Sequence, residues 1–292
     1  MDKLNKRLIK IKKKLVKIKK KQEKLEEKSQ KLKKEIHLYF DSPKYNTRVA
    51  EEYVMNYFWQ NATYSSRFYT SEVKQNYTKM MLSKIANKYA VNKKRALDVG
   101  CGNGMYTEHL ASVFDECVGL DLSVKRIEEN KKNNKFKNIT YIADNFITCD
   151  TKKLGKYDFI CASDLGMYSD EKYHKKIFEA LLNLLNDDGV LVTRESTTLK
   201  GSRENKSHHY IAYYRNKNYY KKRFYKKYFV KSYRDCSYNI PHLDKYFSVF
   251  ENDEKKVEKN PFLLNKIVKN YVSKDTGSSH YYIYKKNIGE KE

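Results

Sequence analysis

The chain has 292 residues, of which 40% are hydrophobic and 14% aromatic, and this composition argues against wholesale disorder. The formal net charge is +25, and most of it lies in two segments, since residues 1–36 carry +11 and residues 201–235 carry +9. The sequence has no apolar run long enough to span a membrane and no apolar leader, which predicts a cytoplasmic protein. The five cysteines form no Cys-x-x-Cys pair, so we expect no metal site.

The first 38 residues form a basic segment with a heptad repeat. Apolar side chains recur between residues 4 and 36 in steps of four and three, interrupted only by Gln22 and Ser29. This spacing predicts one long helix, most simply a coiled coil, and therefore a homo-oligomer. Two other interpretations remain open: the helix packs onto the following domain, or residues 1–36 lie on an anionic membrane surface.

Residues 45–292 are predicted to form one α/β domain. From residue 95 onward, short apolar runs alternate with amphipathic stretches, a pattern typical of βαβ units on a doubly wound, mostly parallel sheet. A Tyr/Lys-rich segment at 201–235 follows, and then a helical insert near 240–275. The predicted strands are Ala96–Val99, Cys117–Leu122, Ile139–Ala143, Phe159–Ala162, Val190–Val192 and His280–Tyr284.

Three glycines follow the first predicted strand and precede a helix. Gly100, Gly102 and Gly104 account for three of the ten glycines in the chain, and they permit a tight turn and close approach of a ligand. A dinucleotide site would require Gly-x-Gly-x-x-Gly, whereas this loop has Gly-x-Gly-x-Gly. The carboxylate of Asp98, two residues before the loop, would repel a pyrophosphate but suits a cationic ligand.

This strand and loop resemble motif I of the class I S-adenosylmethionine-dependent methyltransferases. The family's motif is a strand, an acidic residue, one apolar residue and Gly-x-Gly-x-Gly, and every element is present at residues 96–104. The resemblance extends over roughly residues 70–200. It implies a methyltransferase with a seven-stranded Rossmann-like sheet and S-adenosyl-L-methionine as cofactor, in which Asp98 and the glycines hold the methionine part.

The resemblance also assigns cofactor contacts to the ends of later strands. Asp121, with Leu122, ends the second strand, where the family binds the ribose hydroxyls; its alternative role as a helix cap suits Ser123 better. The adenine is expected beside the end of the third strand, and the fourth strand ends at the boundary between cofactor and acceptor. Further candidates for cofactor binding are Asp144, Asn145, Phe146, Ser163 and, for the methionine carboxylate, Arg67.

The acceptor is expected beyond the fifth strand, and we favour an oxygen of a small molecule or glycan. An acceptor hydroxyl must lose a proton, and Glu195 or His209 could serve as the general base, with Tyr214 nearby. Arg194 or Arg215 could instead hold an acidic group of the substrate.

The Tyr/Lys-rich segment 201–235 has three interpretations. Basic and aromatic residues could bind single-stranded nucleic acid or an anionic glycan. They could equally form a helix that buries Tyr220, Phe224 and Tyr228. The alternatives to a small-molecule enzyme are therefore an RNA or protein methyltransferase, or a non-catalytic coiled-coil scaffold with a degenerate cofactor fold.

Overall fold

A computed structural model describes residues 2–40, 72–198, 201–206, 211–223, 226–235 and 278–286 of the chain. Helices and strands are numbered here in chain order. No helix within these ranges is long and apolar enough to cross a membrane. The α-helices are α1 (Asp2–Phe40), α2 (Glu72–Tyr89), α3 (Met105–Ala111), α4 (Val124–Asn133) and α5 (Glu171–Leu184).

The strands form a mixed sheet whose central part is parallel. Strands β3, β2, β1, β4 and β5 lie side by side in this order, and all four pairings between them are parallel. Strand β9 then pairs antiparallel with β5, and β8 antiparallel with β9. The strands are β1 (Arg95–Val99), β2 (Glu116–Asp121), β3 (Ile139–Ala143), β4 (Tyr157–Ser163), β5 (Leu185–Thr198), β6 (Arg203–Lys206), β7 (Ile211–Asn216), β8 (Phe229–Asp235) and β9 (Ser278–Lys285).

This arrangement confirms the predicted Rossmann-like methyltransferase fold. Seven strands in the order β3-β2-β1-β4-β5-β9-β8 make the central sheet. Strand β9 is antiparallel to both of its neighbours, β5 and β8. The parallel strands are nearly continuous apolar runs because helices cover both faces of the sheet. All predicted strands are present, and β4 and β5 extend beyond the apolar runs from which they were predicted.

The core lies in two layers, one on each face of the sheet. Along β4, Phe159 and Cys161 pack into the layer under α2 and α3, whereas Ile160 and Ala162 pack into the layer under α5. The alternation follows from the two-residue period of a strand. It also places Asp98 of β1 on the α2–α3 side, because its neighbours Leu97 and Val99 lie in the other layer.

Strands β6 and β7 form an antiparallel hairpin that joins the sheet beyond the end of β4. The last pair between β4 and β5 is Ser163 with Arg194, and three residues later Thr197 of β5 pairs with Arg215 of β7. The hairpin therefore continues the sheet over the carboxyl ends of the central strands, where ligands bind in this architecture.

The helical interpretation of segment 201–235 was wrong. Its described residues form β6, β7 and β8, with one turn of π-helix at Tyr219–Arg223 between the last two. Tyr220 is nonetheless buried, as that interpretation required. Phe224 and the helical insert predicted near 240–275 lie outside the described residues.

Candidate functional site

The three glycines of the loop between β1 and α3 all adopt left-handed backbone conformations. The φ angles of Gly100, Gly102 and Gly104 are 73°, 54° and 81°, values that residues with a side chain rarely adopt. At Gly104 an added Cβ atom would lie 2.5 Å from the hydroxyl oxygen of Tyr141. The sequence therefore needs glycine here both for the turn and for close packing.

Asp98 is a buried carboxyl at the end of β1. Only 1% of its surface is exposed, and the hydroxyl of Thr107 on α3 donates a 2.7 Å hydrogen bond to it. Burial raises the pKa of Asp98 to about 7, and the nearby carboxylate of Asp121 contributes in the same direction. A positive charge placed beside this carboxyl would restore its ionised form.

Asp121 connects the glycine loop to the end of β2. Its two carboxylate oxygens each accept a backbone N–H, one from Gly102 and one from Ser123, both at 2.8 Å. Each oxygen keeps a further lone pair for a ligand hydroxyl. Ser123 caps helix α4 by accepting from the Arg126 amide, as the sequence predicted.

The end of β3 lies directly beside this carboxylate. The backbone N–H of Asp144 donates to the carbonyl of Asp121 at 3.0 Å, and its side chain is exposed. Asn145 accepts from the Ile147 amide and so shapes the turn. Phe146 is 6% exposed and packs in the core layer under α5. Leu122, the remaining predicted contact here, is half-buried.

A buried arginine organises the ends of β4 and β5. Arg194 pairs in the sheet with Ser163, and its guanidinium contacts the carboxylates of Asp164 and Asp235. The contact between Arg194 and Asp235 is 2.5 Å long, and the side chains of these two residues are fully or nearly fully buried. Asp164, with a φ of 53°, is the non-glycine residue with a positive φ among the described residues. Arg194 is thus engaged by the protein itself, which argues against its predicted role as an anion receptor.

Glu195, the predicted base, lies on the opposite face of β5 from Arg194. It is 1% exposed, and its Oε2 atom has no hydrogen-bond partner, while the Gly166 amide donates to its carboxylate. Burial, reinforced by Asp164, raises the pKa of Glu195 to about 8. A carboxyl with this pKa is suited to exchange protons near neutral pH.

Next to Glu195, His174 of α5 is held neutral. Its Nδ1 atom lies 3.1 Å from the hydroxyl of Tyr219, and the two rings stack. Burial, and then the charge of Arg215, lowers the pKa of His174 to about 3. Its Nε2 atom lies 2.5 Å from where a Cβ at Gly166 would stand, so this short turn after β4 requires glycine.

Arg215 of β7 fastens the hairpin to the turn after β4. Its guanidinium donates to the carbonyl of Gly166 at 2.8 Å and to that of Ser169 at 2.5 Å. It also packs over the rings of Tyr213 and Tyr219. Arg215 is 5% exposed, so it too serves the fold rather than an acidic substrate group as predicted.

The remaining sequence candidates are dispersed. Tyr214 is half-buried on β7, where Arg203 lies over its ring at 5.1 Å. Arg67 and His209 lie outside the described residues. Within the described part of the chain, no group of three or more His, Cys, Asp or Glu side chains could hold a metal ion.

Two partners in the site were missed by the sequence analysis for different reasons. Thr107 is the third residue of the helix that follows the glycine loop and lies nine residues after Asp98, so the signal that could have found it was local in sequence. Asp235 is 41 residues from Arg194 and pairs with it only through the order of β5, β9 and β8, which no local pattern encodes.

Comparison with known proteins identifies the family. The family model described as a methyltransferase domain matches residues 66–232, more than half of the chain. An uncharacterised protein of Rickettsia prowazekii is 32% identical over 101 residues, which cover 33% of this chain and 40% of that protein. The aligned region thus spans less than half the length of this curated relative.

Solved structures share the fold over most of the chain. A methyltransferase of Leishmania major, described as S-adenosylmethionine-dependent, is 17% identical and superposes with a TM-score of 0.57, covering 84% of this chain and 86% of that one. A coclaurine N-methyltransferase bound to N-methylheliamine and S-adenosylhomocysteine is 13% identical, with a TM-score of 0.52, and covers 88% and 94%. At these identities the likeness concerns the fold alone.

Proposed function

We propose that this chain, which belongs to the S-adenosylmethionine-dependent methyltransferase family, methylates an oxygen atom of a small molecule or glycan. The family match and the confirmed fold make the chain a methyltransferase with S-adenosylmethionine as its cofactor. They leave the acceptor open. The observation that carries our choice is the buried carboxyl of Glu195, with one oxygen free of partners and a pKa of about 8.

The glycine loop and its flanking acids fit the cofactor. The left-handed glycines allow a tight turn just beyond β1, and Asp98 offers a buried carboxyl that a cationic ligand would ionise. We assign Asp98 and the loop to the methionine part and Asp121 to the ribose. Residues 144–146 are assigned to the adenine.

The bound cofactor supplies a methyl group that its sulfonium already activates for direct displacement. The protein therefore contributes mainly by holding donor and acceptor in line and by excluding water. An alcohol acceptor must also lose its proton, and Glu195 is the described carboxyl with a pKa and a vacant oxygen suited to accept it.

The runner-up, an RNA or protein acceptor, has less support. Stacking on single-stranded RNA requires exposed aromatic rings, yet Tyr213, Tyr219 and Tyr220 of the basic segment are buried. Half-buried Tyr214 and Tyr228 and the exposed Arg203 and Lys217 remain on the described part of this segment, so binding would depend largely on electrostatic attraction.

Binding of S-adenosylhomocysteine to wild type and to Asp121→Ala tests the cofactor assignment. We expect calorimetry to show at least about tenfold weaker binding by the variant, equivalent to about 1.4 kcal/mol. Asp188→Ala is the matched control, because Asp188 is exposed near the start of β5, at the opposite end of the strands, and its loss should leave affinity unchanged. Equal affinity of all three proteins would contradict the assignment of Asp121.

The acceptor class is tested with methyl-labelled cofactor and fractionated cell extract. Label in a low-mass or glycan fraction is expected, and its incorporation should rise with pH toward about 8 as Glu195 ionises. Label confined to RNA or protein would refute the proposed acceptor while leaving the cofactor site intact.

A further inference from the structure

The heptad seam of helix α1 is exposed. Every described seam residue that is apolar has about half or more of its surface in contact with solvent, and an isolated apolar stripe gains nothing from water. A surface of this kind predicts a partner that covers it. These residues are Ile11 at 48%, Leu15 at 59%, Ile18 at 54%, Leu25 at 60% and Leu32 at 49% exposure.

The two halves of α1 differ in charge and in apolar content. Residues 2–21 carry 11 Lys or Arg against one Asp, whereas residues 22–36 carry 5 against 4. The first half also has apolar residues beside the seam, including Val16 at 55% exposure. The polar interruptions Gln22 and Ser29 both fall in the second half. The first half is therefore a strongly basic amphipathic helix by itself.

A second copy of this helix is a poor match for the seam. In a parallel pair, Lys14 of one copy would lie beside Lys19 of the other, with like charges opposed. In an antiparallel pair, Gln22 would be buried against Ile18, leaving its amide without a partner. Each orientation of a homodimer would therefore meet a penalty.

We propose that residues 2–21 lie flat on the surface of a bilayer that contains anionic lipids. The anionic headgroups would attract the lysines, and the apolar seam would be buried at the boundary between headgroups and acyl chains. The lysine stems can extend along the apolar surface while their ammonium groups reach the headgroups. A nucleic acid would satisfy the lysines but leave Leu15 and Ile18 in water, so it fits only half of this surface.

The full-length protein is to be sedimented with vesicles of phosphatidylcholine, with or without phosphatidylglycerol. We expect binding only to the anionic vesicles, and loss of binding at high salt because screening weakens the attraction. Leu15→Glu/Ile18→Glu should reduce binding by at least about tenfold. The matched pair Leu25→Glu/Leu32→Glu should retain it, because that pair lies in the weakly charged half. All four residues are exposed, so neither variant is expected to unfold the protein.

Sedimentation equilibrium of the same proteins provides the opposing outcome. A stable dimer that both variant pairs disrupt equally, without vesicle binding by the wild type, would overturn the proposal in favour of a coiled coil. Salt-sensitive RNA binding that survives Leu15→Glu/Ile18→Glu, again without vesicle binding, would overturn it in favour of a nucleic-acid contact.

Discussion

At the scale of single residues, Gly104 is the most constrained of the three glycines in the loop between β1 and α3. Replacing it with alanine adds left-handed strain of about 1–2 kcal/mol and a collision with Tyr141 at 2.5 Å. We expect Gly104→Ala to lower the melting temperature and to weaken S-adenosylhomocysteine binding. Thermal unfolding and calorimetry measure the two effects.

Gly201 provides the control for this substitution. Its φ is 60°, but nothing lies within 4 Å of an added Cβ, so Gly201→Ala brings the backbone strain without the collision. The variant should melt slightly below wild type and bind S-adenosylhomocysteine normally. Identical losses in both variants would show that the tight packing against Tyr141 has no consequence.

The buried carboxyl of Asp98 should make stability depend on pH. Its pKa is about 7 in the folded protein and near 3.8 in the unfolded chain, so the folded state holds the proton more tightly. Its contribution therefore favours folding at low pH and is lost as pH rises from about 4 to 7. In thermal melts of the ligand-free protein, Asp98→Asn should lose less stability than wild type over this range. A parallel decline of both proteins would contradict the assignment.

At the scale of elements, one arginine holds the β6–β7 hairpin against the turn after β4. Arg215→Gln removes charged hydrogen bonds to two buried carbonyls, each worth about 1.5–3 kcal/mol. We expect a loss of about 3 kcal/mol in stability and faster amide exchange in the hairpin. Arg203→Gln, exposed on the same hairpin, should change little, and equal exchange in both variants would refute this role.

The parallel part of the sheet was predictable from sequence, whereas the hairpin was not. Strands β1, β2, β4 and β5 are largely buried on both faces and therefore read as apolar runs followed by polar residues. Strands β6 and β7 carry exposed and charged residues such as Arg203 and Glu204, and they pair beyond the edge of β4. Arg215 ties β7 to the turn at Gly166, 49 residues away in sequence, and no local pattern predicts this contact.

At the scale of the whole molecule, helix α1 and the catalytic fold should be separable. The described seam of α1 faces solvent, so removing residues 1–40 takes little apolar surface away from the fold. The truncated protein should have the same melting temperature as wild type and bind S-adenosylhomocysteine with the same dissociation constant. A large fall in either quantity would show that α1 supports the enzyme directly.

In the candidate site, too, residues were predictable from sequence where the signal was local, and contacts between distant segments were not. Asp98, Gly100 and Asp121 could be singled out because each lies at or just after the end of a strand, within a short and recognisable spacing. The engagement of Arg194 by Asp235 could not be anticipated, since it requires knowing that β9 separates β5 from β8. For Arg194 this pairing, and for Arg215 its contacts with the Gly166 and Ser169 carbonyls, argue against the substrate-binding role considered from the sequence.

The glycine loop also contains a cysteine. Cys101 is 5% exposed and packs against Ile127 and Tyr141, and burial raises its pKa well above the usual range. A thiol in this state is inert toward alkylating reagents until the loop opens. Its rate of modification therefore measures how often the glycine loop opens, so Cys101 is an internal reporter of motion in that loop.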